Sequence, residues 1–267
     1  MPEGHTIHRL ARELRVVFRG RPVAVTSPQG RFAASAAQLD GGVLEATDAH
    51  GKHLFLGFDA QRWVHVHLGL YGGFDVVPEP AATPRGAVRM RLETDSAHAD
   101  LRGPTACEIL TPAEKETLHA RLGADPLRAD DPGAALARIG RSRTPIGVLL
   151  MDQSVLAGVG NVYRAEVLFR AGLDPARPGR EVDGQVLAAI WADLCDLMTR
   201  GVEIGRIDTV RPEHEPAAMG RPPRVDDHGG EVYVYRRAGQ PCHICGDEIR
   251  ARVVAGRNLF WCPTCQA

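Results

Sequence analysis

Four of the six cysteines in this 267-residue chain fall near its end, as Cys242-x2-Cys245 and Cys262-x2-Cys265. Each pair spans a tight turn that brings two thiolates to one side, and two such pairs complete a tetrahedral zinc site. With all four positions filled by protein, the metal is expected to be a single structural Zn2+. A module this small builds little core of its own, so zinc would supply the folding energy. Gly246, Gly256 and the alternating run 248–254 suit a β-hairpin between the two cysteine pairs. His243 reads as a surface residue beside a filled ligand set, and the isolated Cys107 and Cys195 as core thiols.

A different chemistry is available at the opposite end. Pro2 follows the initiator Met, which is normally removed before so small a residue, exposing a secondary amine. A terminal amine has a pKa of about 7.7–8.0, far below lysine, so a useful fraction is nucleophilic at neutral pH. Such an amine can attack a sugar aldehyde carbon and form a Schiff base, and Glu3 beside it can move protons. The zinc hairpin carries Arg250, Arg252 and Arg257 next to Phe260 and Trp261. Guanidinium forks of this kind suit phosphates, although a solvated surface would look the same.

These groups need a scaffold, and composition bounds it. Net charge is -1, with 44% hydrophobic and 24% charged residues, ordinary values for a globular protein. No run approaches 18 apolar residues and no signal peptide is evident, so no membrane contact and a cytoplasmic location are expected. Only two of the 32 basic residues are lysines, Lys52 and Lys115. The near-zero average hides a division of charge: residues 93–135 hold nine acids against four basic residues, whereas 1–25 hold five Arg against two acids.

Apolar spacing over 5–18 predicts an amphipathic helix ended by Gly20 and Pro22. Short strands are expected at 43–49, 53–58, 63–68, 72–77, 87–94, 97–101 and 105–110, the pattern of a β-sandwich or barrel. Thr111-Pro112-Ala113-Glu114 reads as a capping box opening a helix. Segment 123–133 reads as a linker. Helices are expected at 132–139, 145–151, 161–171 and 183–200, then a loop at 201–230. The resulting architecture is α+β and multidomain: 1–122 an N-terminal β-sandwich with one long helix, 132–225 a helical domain, and 231–267 the zinc hairpin.

Four stretches occur in order: Met1-Pro2-Glu3-Gly4, Gly51-Lys52-His53, residues 149–166 with Gly158-Val159-Gly160-Asn161, and the terminal four cysteines. Together they closely resemble the bacterial formamidopyrimidine-DNA glycosylase / endonuclease VIII family of base-excision-repair enzymes, over essentially the whole chain. The resemblance implies that Pro2 attacks C1′ of the damaged nucleotide and that Glu3 shuttles protons. It implies that Lys52 sits on a hairpin turn near sugar and phosphate and assists β-elimination. Residues 158–161 would form the turn of a helix–two-turn–helix unit, with Asn161 opening a helix toward a DNA phosphate. Arg257 would be the zinc-hairpin arginine, gripping phosphates and acting in δ-elimination. Leu70 and Tyr71, in His67-Leu68-Gly69-Leu70-Tyr71-Gly72, match an intercalating wedge, and Arg102 an arginine reaching the orphaned base.

Three positions depart from the family pattern: Gly69 replaces a Gln of the wedge, Thr6 a common Glu, and Gly147 a frequent Lys. Pro2-Glu3-Gly4-His5 with Leu70-Tyr71 looks more like the endonuclease VIII branch, which implies oxidised pyrimidines as substrate. The expected function is a monomeric, bifunctional DNA glycosylase and AP lyase acting on damaged DNA, nucleoid-associated through that DNA. The alternatives are an 8-oxoguanine-type enzyme, a non-catalytic DNA-binding protein on the same scaffold, or an RNA-binding zinc module on an unrelated enzyme.

Overall fold

The structure is a computed structural model describing residues 2–59, 61–225 and 230–267. Met1 and residues 226–229 of the expected 201–230 loop lie outside the described residues. The chain forms two compact units, 1–121 and 122–267.

Unit 1 opens with α1 (Gly4–Phe18), whose buried Ile7, Leu10, Ala11, Leu14 and Phe18 recur at helical spacing. Its described residues form the strands β1 (Ala24–Thr26), β2 (Leu44–His50), β3 (His53–Phe58), β4 (Arg62–His67), β5 (Gly73–Val77), β6 (Val88–Thr94), β7 (Ala97–Arg102) and β8 (Ala106–Leu110). They form two four-stranded sheets, β1-β6-β7-β5 and β2-β3-β4-β8. All pairings are antiparallel, and α1, α2 and both sheets share one apolar core. Every strand expected from residue 43 onward is present within a residue or two. The 3-residue β1 and the Ala-rich α2 (Ala33–Leu39) were not expected. Neither is long enough to show a period above its neighbours. The capping box of α3 (Pro112–His119) is formed: Thr111 Oγ1 accepts from the Glu114 amide, and the Glu114 carboxylate accepts from the Thr111 amide at 2.8 Å.

Unit 2 contains α4 (Gly133–Ile139), α5 (Ile146–Leu149), α6 (Asn161–Arg170), α7 (Gly184–Ile204) and the short α8 (Pro216–Met219). The hairpin β9 (Arg250–Val254) and β10 (Arg257–Trp261) completes it. Two expectations need revision. Residues 123–133 do not hang as a linker: the Gly123 amide donates to Gln153 O and the Ala157 amide to Ala124 O. A Cβ at Gly123 would lie 2.1 Å from Val155 O, so only glycine allows that approach. Nor is 201–230 uniformly loop. Helix α7 runs to Ile204 and stops at Gly205 in the left-handed conformation, φ 74°. Ile207 to Val210 are then buried.

Residues 232–235 belong to the helical core, as do Cys242, Ile249, Phe260 and Cys262 of the zinc hairpin. A single carboxylate organises this region. Glu166 is fully buried, and it accepts from the amides of Tyr233, Val234 and Tyr235 and from the Thr209 hydroxyl, at 2.7–2.9 Å. The neighbouring cations Arg170 and Arg237 feel its negative charge.

Candidate active site and nucleic-acid interface

Two contacts order α1 along β2. At its C-terminal end the Gly20 amide donates to Leu44 O, and midway the Thr47 hydroxyl donates to Ala11 O at 2.8 Å. From Ala11 back to Gly4 the helix rises about 10 Å, and from Thr47 to His50 the strand advances about 10 Å. The amino terminus is therefore carried level with the His50-Gly51-Lys52-His53 turn. Gly51 there takes φ 58° and joins β2 to β3. Pro2 is half-buried, Glu3 is fully buried immediately before the first turn of α1, and Lys52 is half-buried. His5 is held down to a pKa of about 4 by burial, with smaller effects from Arg9 and His8. The amine, an acid and an ammonium thus share one end of the sandwich.

The β4–β5 connection lies at the same end, because His53 is the cross-strand partner of His67. In it Tyr71 is 94% exposed and Leu70 42% exposed, so neither is core. The departure at Gly69 has a physical reason: φ is 69°, and a Cβ would lie 2.4 Å from Thr105 Cγ2. Arg102 is differently placed. Its guanidinium bonds Asp75 and Asp100 at 2.8 Å each and Arg85 O at 3.2 Å. Asp100 in turn pairs with the buried Arg91. Arg102 serves the sheet in this arrangement.

In unit 2 the Gln153 side chain holds the 158–161 turn, accepting from the Gly158 amide and donating to Met151 O and Val159 O. Gly158 has φ 86°. Gly160, not Asn161, is the N-cap of α6. The Asn161 amide instead donates to Asn258 O at 2.9 Å, and its oxygen accepts from Arg164. Arg164, 1% exposed, also donates to Asn258 O and Gly147 O. The motif asparagine therefore ties the helix turn to the hairpin, a link the sequence pattern did not reveal. At Gly147 a Cβ would meet Pro175 O at 2.9 Å, which explains the departure there.

The hairpin turns at Ala255-Gly256, φ 48° and 73°, the backbone of a type I′ turn. Arg257 follows directly and is exposed. The four cysteine sulfurs lie within 4.8 Å of one another, and the pairs Cys242–Cys265 and Cys245–Cys262 are 3.9 and 3.4 Å apart. A tetrahedron with Zn–S bonds of about 2.3 Å needs sulfurs about 3.8 Å apart, so the set fits zinc. Amides of Ile244 and Cys265 point at Cys242 and Cys262 sulfurs, as thiolate ligands require. His243 is half-buried, and burial, then Arg237 and Arg221, pull its pKa to about 4. Cys107 is pushed up to about 12 by burial, an inert thiol.

Comparison with known proteins matches each region. Residues 1–107 match the formamidopyrimidine-DNA glycosylase N-terminal domain. Residues 122–212 match the H2TH domain of the same enzyme, and 239–267 a zinc finger found in FPG and IleRS. The chain is 52% identical to Endonuclease 8 1 of Mycobacterium tuberculosis, with 100% of both chains covered. It is 32% identical to the formamidopyrimidine-DNA glycosylase of Thermus thermophilus, covering 100% of this chain and 98% of that one. A crystal structure of Lactococcus lactis Fpg with DNA containing an abasic site has the same fold, with a TM-score of 0.80 at 20% identity over 99% of each chain. The chain belongs to the formamidopyrimidine-DNA glycosylase / endonuclease VIII family of DNA glycosylases.

Proposed function

We infer that this DNA glycosylase and AP lyase acts through the Pro2 amine on oxidised bases, with pyrimidines preferred. The observation that carries the reading is the shared position of the amino terminus and the Lys52 turn at one end of the sandwich. The free amine adds to C1′ of the damaged nucleotide, the C1′–N bond breaks, and the base leaves with a proton. Opening of the sugar ring gives an iminium linking Pro2 to C1′. Glu3, buried beside Pro2, moves the proton to and from the ring oxygen. Loss of a C2′ proton expels the 3′ phosphate, and a second elimination expels the 5′ phosphate. Lys52 and Arg257 stabilise the charge that builds on those phosphates. Exposed Leu70 and Tyr71 fill the space the extruded nucleotide leaves. Asn161 holds the arginine-bearing hairpin on the 158–161 turn, whose helix start favours a phosphate.

The zinc finger, with Cys242, Cys245, Cys262 and Cys265 as ligands, holds one structural zinc. No helix among the described residues is long and apolar enough to cross a membrane. The enzyme is assigned to the cytoplasm, as a monomer held on DNA. Pyrimidine preference is supported by the endonuclease 8 relative and by Leu70-Tyr71. Borohydride trapping on duplexes carrying thymine glycol, dihydrouracil or 8-oxoguanine tests both points. A covalent band on the pyrimidine lesions is expected. No band on any lesion with binding retained would leave a non-catalytic DNA binder, and a band on 8-oxoguanine alone would reverse the substrate order.

A further inference from the structure

The sheet β2-β3-β4-β8 buries one face in the sandwich core, and its other face is unusual. Cross-strand pairing places Asp48 and His50 of β2, His53 and Phe55 of β3, Trp63, His65 and His67 of β4, and Glu108 of β8 on that second face. Helix α3 adds Lys115, bonded to Asp48 at 2.8 Å and lying 4.3 Å over the Trp63 ring. It also adds His119, 3.2 Å from His50. Five imidazoles thus occupy one layer. They form no metal cage: among the described residues, only the four cysteines gather three or more ligand-type groups so closely.

Within this layer runs a directed chain of hydrogen bonds. The Glu108 carboxylate lies 3.0 Å from His65 Nδ1, and His65 Nε2 lies 2.9 Å from His53 Nδ1. A carboxylate only accepts, so His65 carries its hydrogen on Nδ1. Its Nε2 is then the acceptor, and His53 must donate from Nδ1. That leaves the second nitrogen of His53 as a lone pair. His67, opposite His53, is fixed in the same sense. The Thr105 hydroxyl spends its hydrogen on His67 O at 3.0 Å, so it accepts from His67 Nδ1 at 2.7 Å. His53 closes the Lys52 turn opposite His50, and His67 lies across from His53 on β4. His53 is pushed down to about 3 by burial, then by His65, His67, His50 and His119, so it stays neutral. His67 is lowered by burial, by His65 and by Lys52, which places that ammonium near His67, the cross-strand partner of His53.

We propose that Glu108 and His65 are positioning residues for the elimination step, fixing His53 in the tautomer that presents an acceptor nitrogen to the Lys52 turn. The acceptor orients the Lys52 ammonium, as carboxylate-backed histidines orient metals. Protonation of His65 on both nitrogens would reverse the chain, because His65 would then donate to His53 and drive its hydrogen to the far nitrogen. Of the other titratable groups on this face, Asp48 and Lys115 neutralise each other, and His50 and His119 pair together.

The proposal rests on the role assigned to Lys52, and the test separates the two. Strand scission of an oligonucleotide with a preformed abasic site is timed in single turnover across a pH series. Glu108→Ala, Glu108→Gln, His65→Phe and Lys52→Ala are compared, with melting temperature and zinc content as fold controls. His65→Phe keeps the ring stacked on His53 and Phe55, and the exposed Glu108 carries the test if it does not fold. Glu108→Ala and His65→Phe should slow scission about tenfold, the usual scale for a group that orients a functional imidazole. Base release and borohydride trapping should persist. Glu108→Gln, whose amide oxygen still accepts, should keep its rate near neutrality. Its acid limb should move to lower pH, a shift that lost packing cannot produce. The Lys52→Ala/His65→Phe double variant should be no slower than Lys52→Ala. A slow Lys52→Ala with normal Glu108→Ala and His65→Phe, an additive double variant, or an unmoved acid limb would overturn the relay. A normal Lys52→Ala would overturn the Lys52 assignment itself.

Discussion

Glu166 shows how much one residue can organise. Its carboxylate collects three consecutive amides and a hydroxyl from segments that sequence treats as loop and terminal module. Glu166→Ala would leave those donors buried without an acceptor, a loss of about 3 kcal/mol or more. Thermal unfolding should show it directly, and a melting temperature within a degree of the parent would refute it. At the catalytic end, Pro2→Gly or one added residue before Pro2 should abolish most lyase activity while zinc content stays whole. Tyr71, 94% exposed, should tolerate Tyr71→Ala with less than about 0.5 kcal/mol of stability lost. Excision from duplex should nevertheless slow, and excision from single strands, where no stack is opened, should suffer less. Equal slowing on both substrates would count against a wedge. The histidines set a pH dependence. Unfolded imidazoles protonate near 6.5, whereas His5 and His53 do so only near 4 and 3 in the fold. The unfolded chain gains protons first, so stability is full above about 6.5 and falls as pH drops below it. Urea midpoints across that range should show the decline, shallower in His53→Phe.

At the scale of elements, the sequence reveals whatever carries its own local signal. Strand alternation, the Thr111–Glu114 capping box and the cysteine spacing all report structure within a few residues of themselves. Segments stabilised from a distance report nothing locally. Residues 232–235 look like the start of a terminal hairpin and belong to the helical core instead, because Glu166 claims their amides. The ordering of 123–133 likewise depends on a backbone approach that only Gly123 permits. The candidate site divides the same way. Pro2, Glu3, Lys52 and Arg257 are readable as residue types in motifs. The tie from Asn161 to Asn258 and the ion pairs that occupy Arg102 are contacts between distant positions. Removing zinc with a chelator should disorder β9 and β10 and release Arg257. Lesion binding should weaken by at least tenfold and recover on adding zinc back. Binding unchanged in zinc-free protein would contradict this.

For the molecule as a whole, charge is informative only when divided by region. A net charge of -1 would discourage a nucleic-acid reading, yet an acidic excess falls in 93–135 and a basic excess in 1–25 and 231–267, where DNA chemistry is assigned. The two units keep separate cores, so the amine chemistry and the metal-held grip can be damaged independently. Within unit 2, by contrast, Asn258 O receives hydrogen bonds from both Asn161 and Arg164, and the hairpin's Ile249 and Phe260 sit in the helical core. The hairpin amides and the first turn of α6 should therefore exchange with heavy water as one cooperative block. Zinc occupancy then governs more than a finger: a cell short of the metal would hold enzyme whose nucleophile is intact and whose hold on damaged DNA has gone.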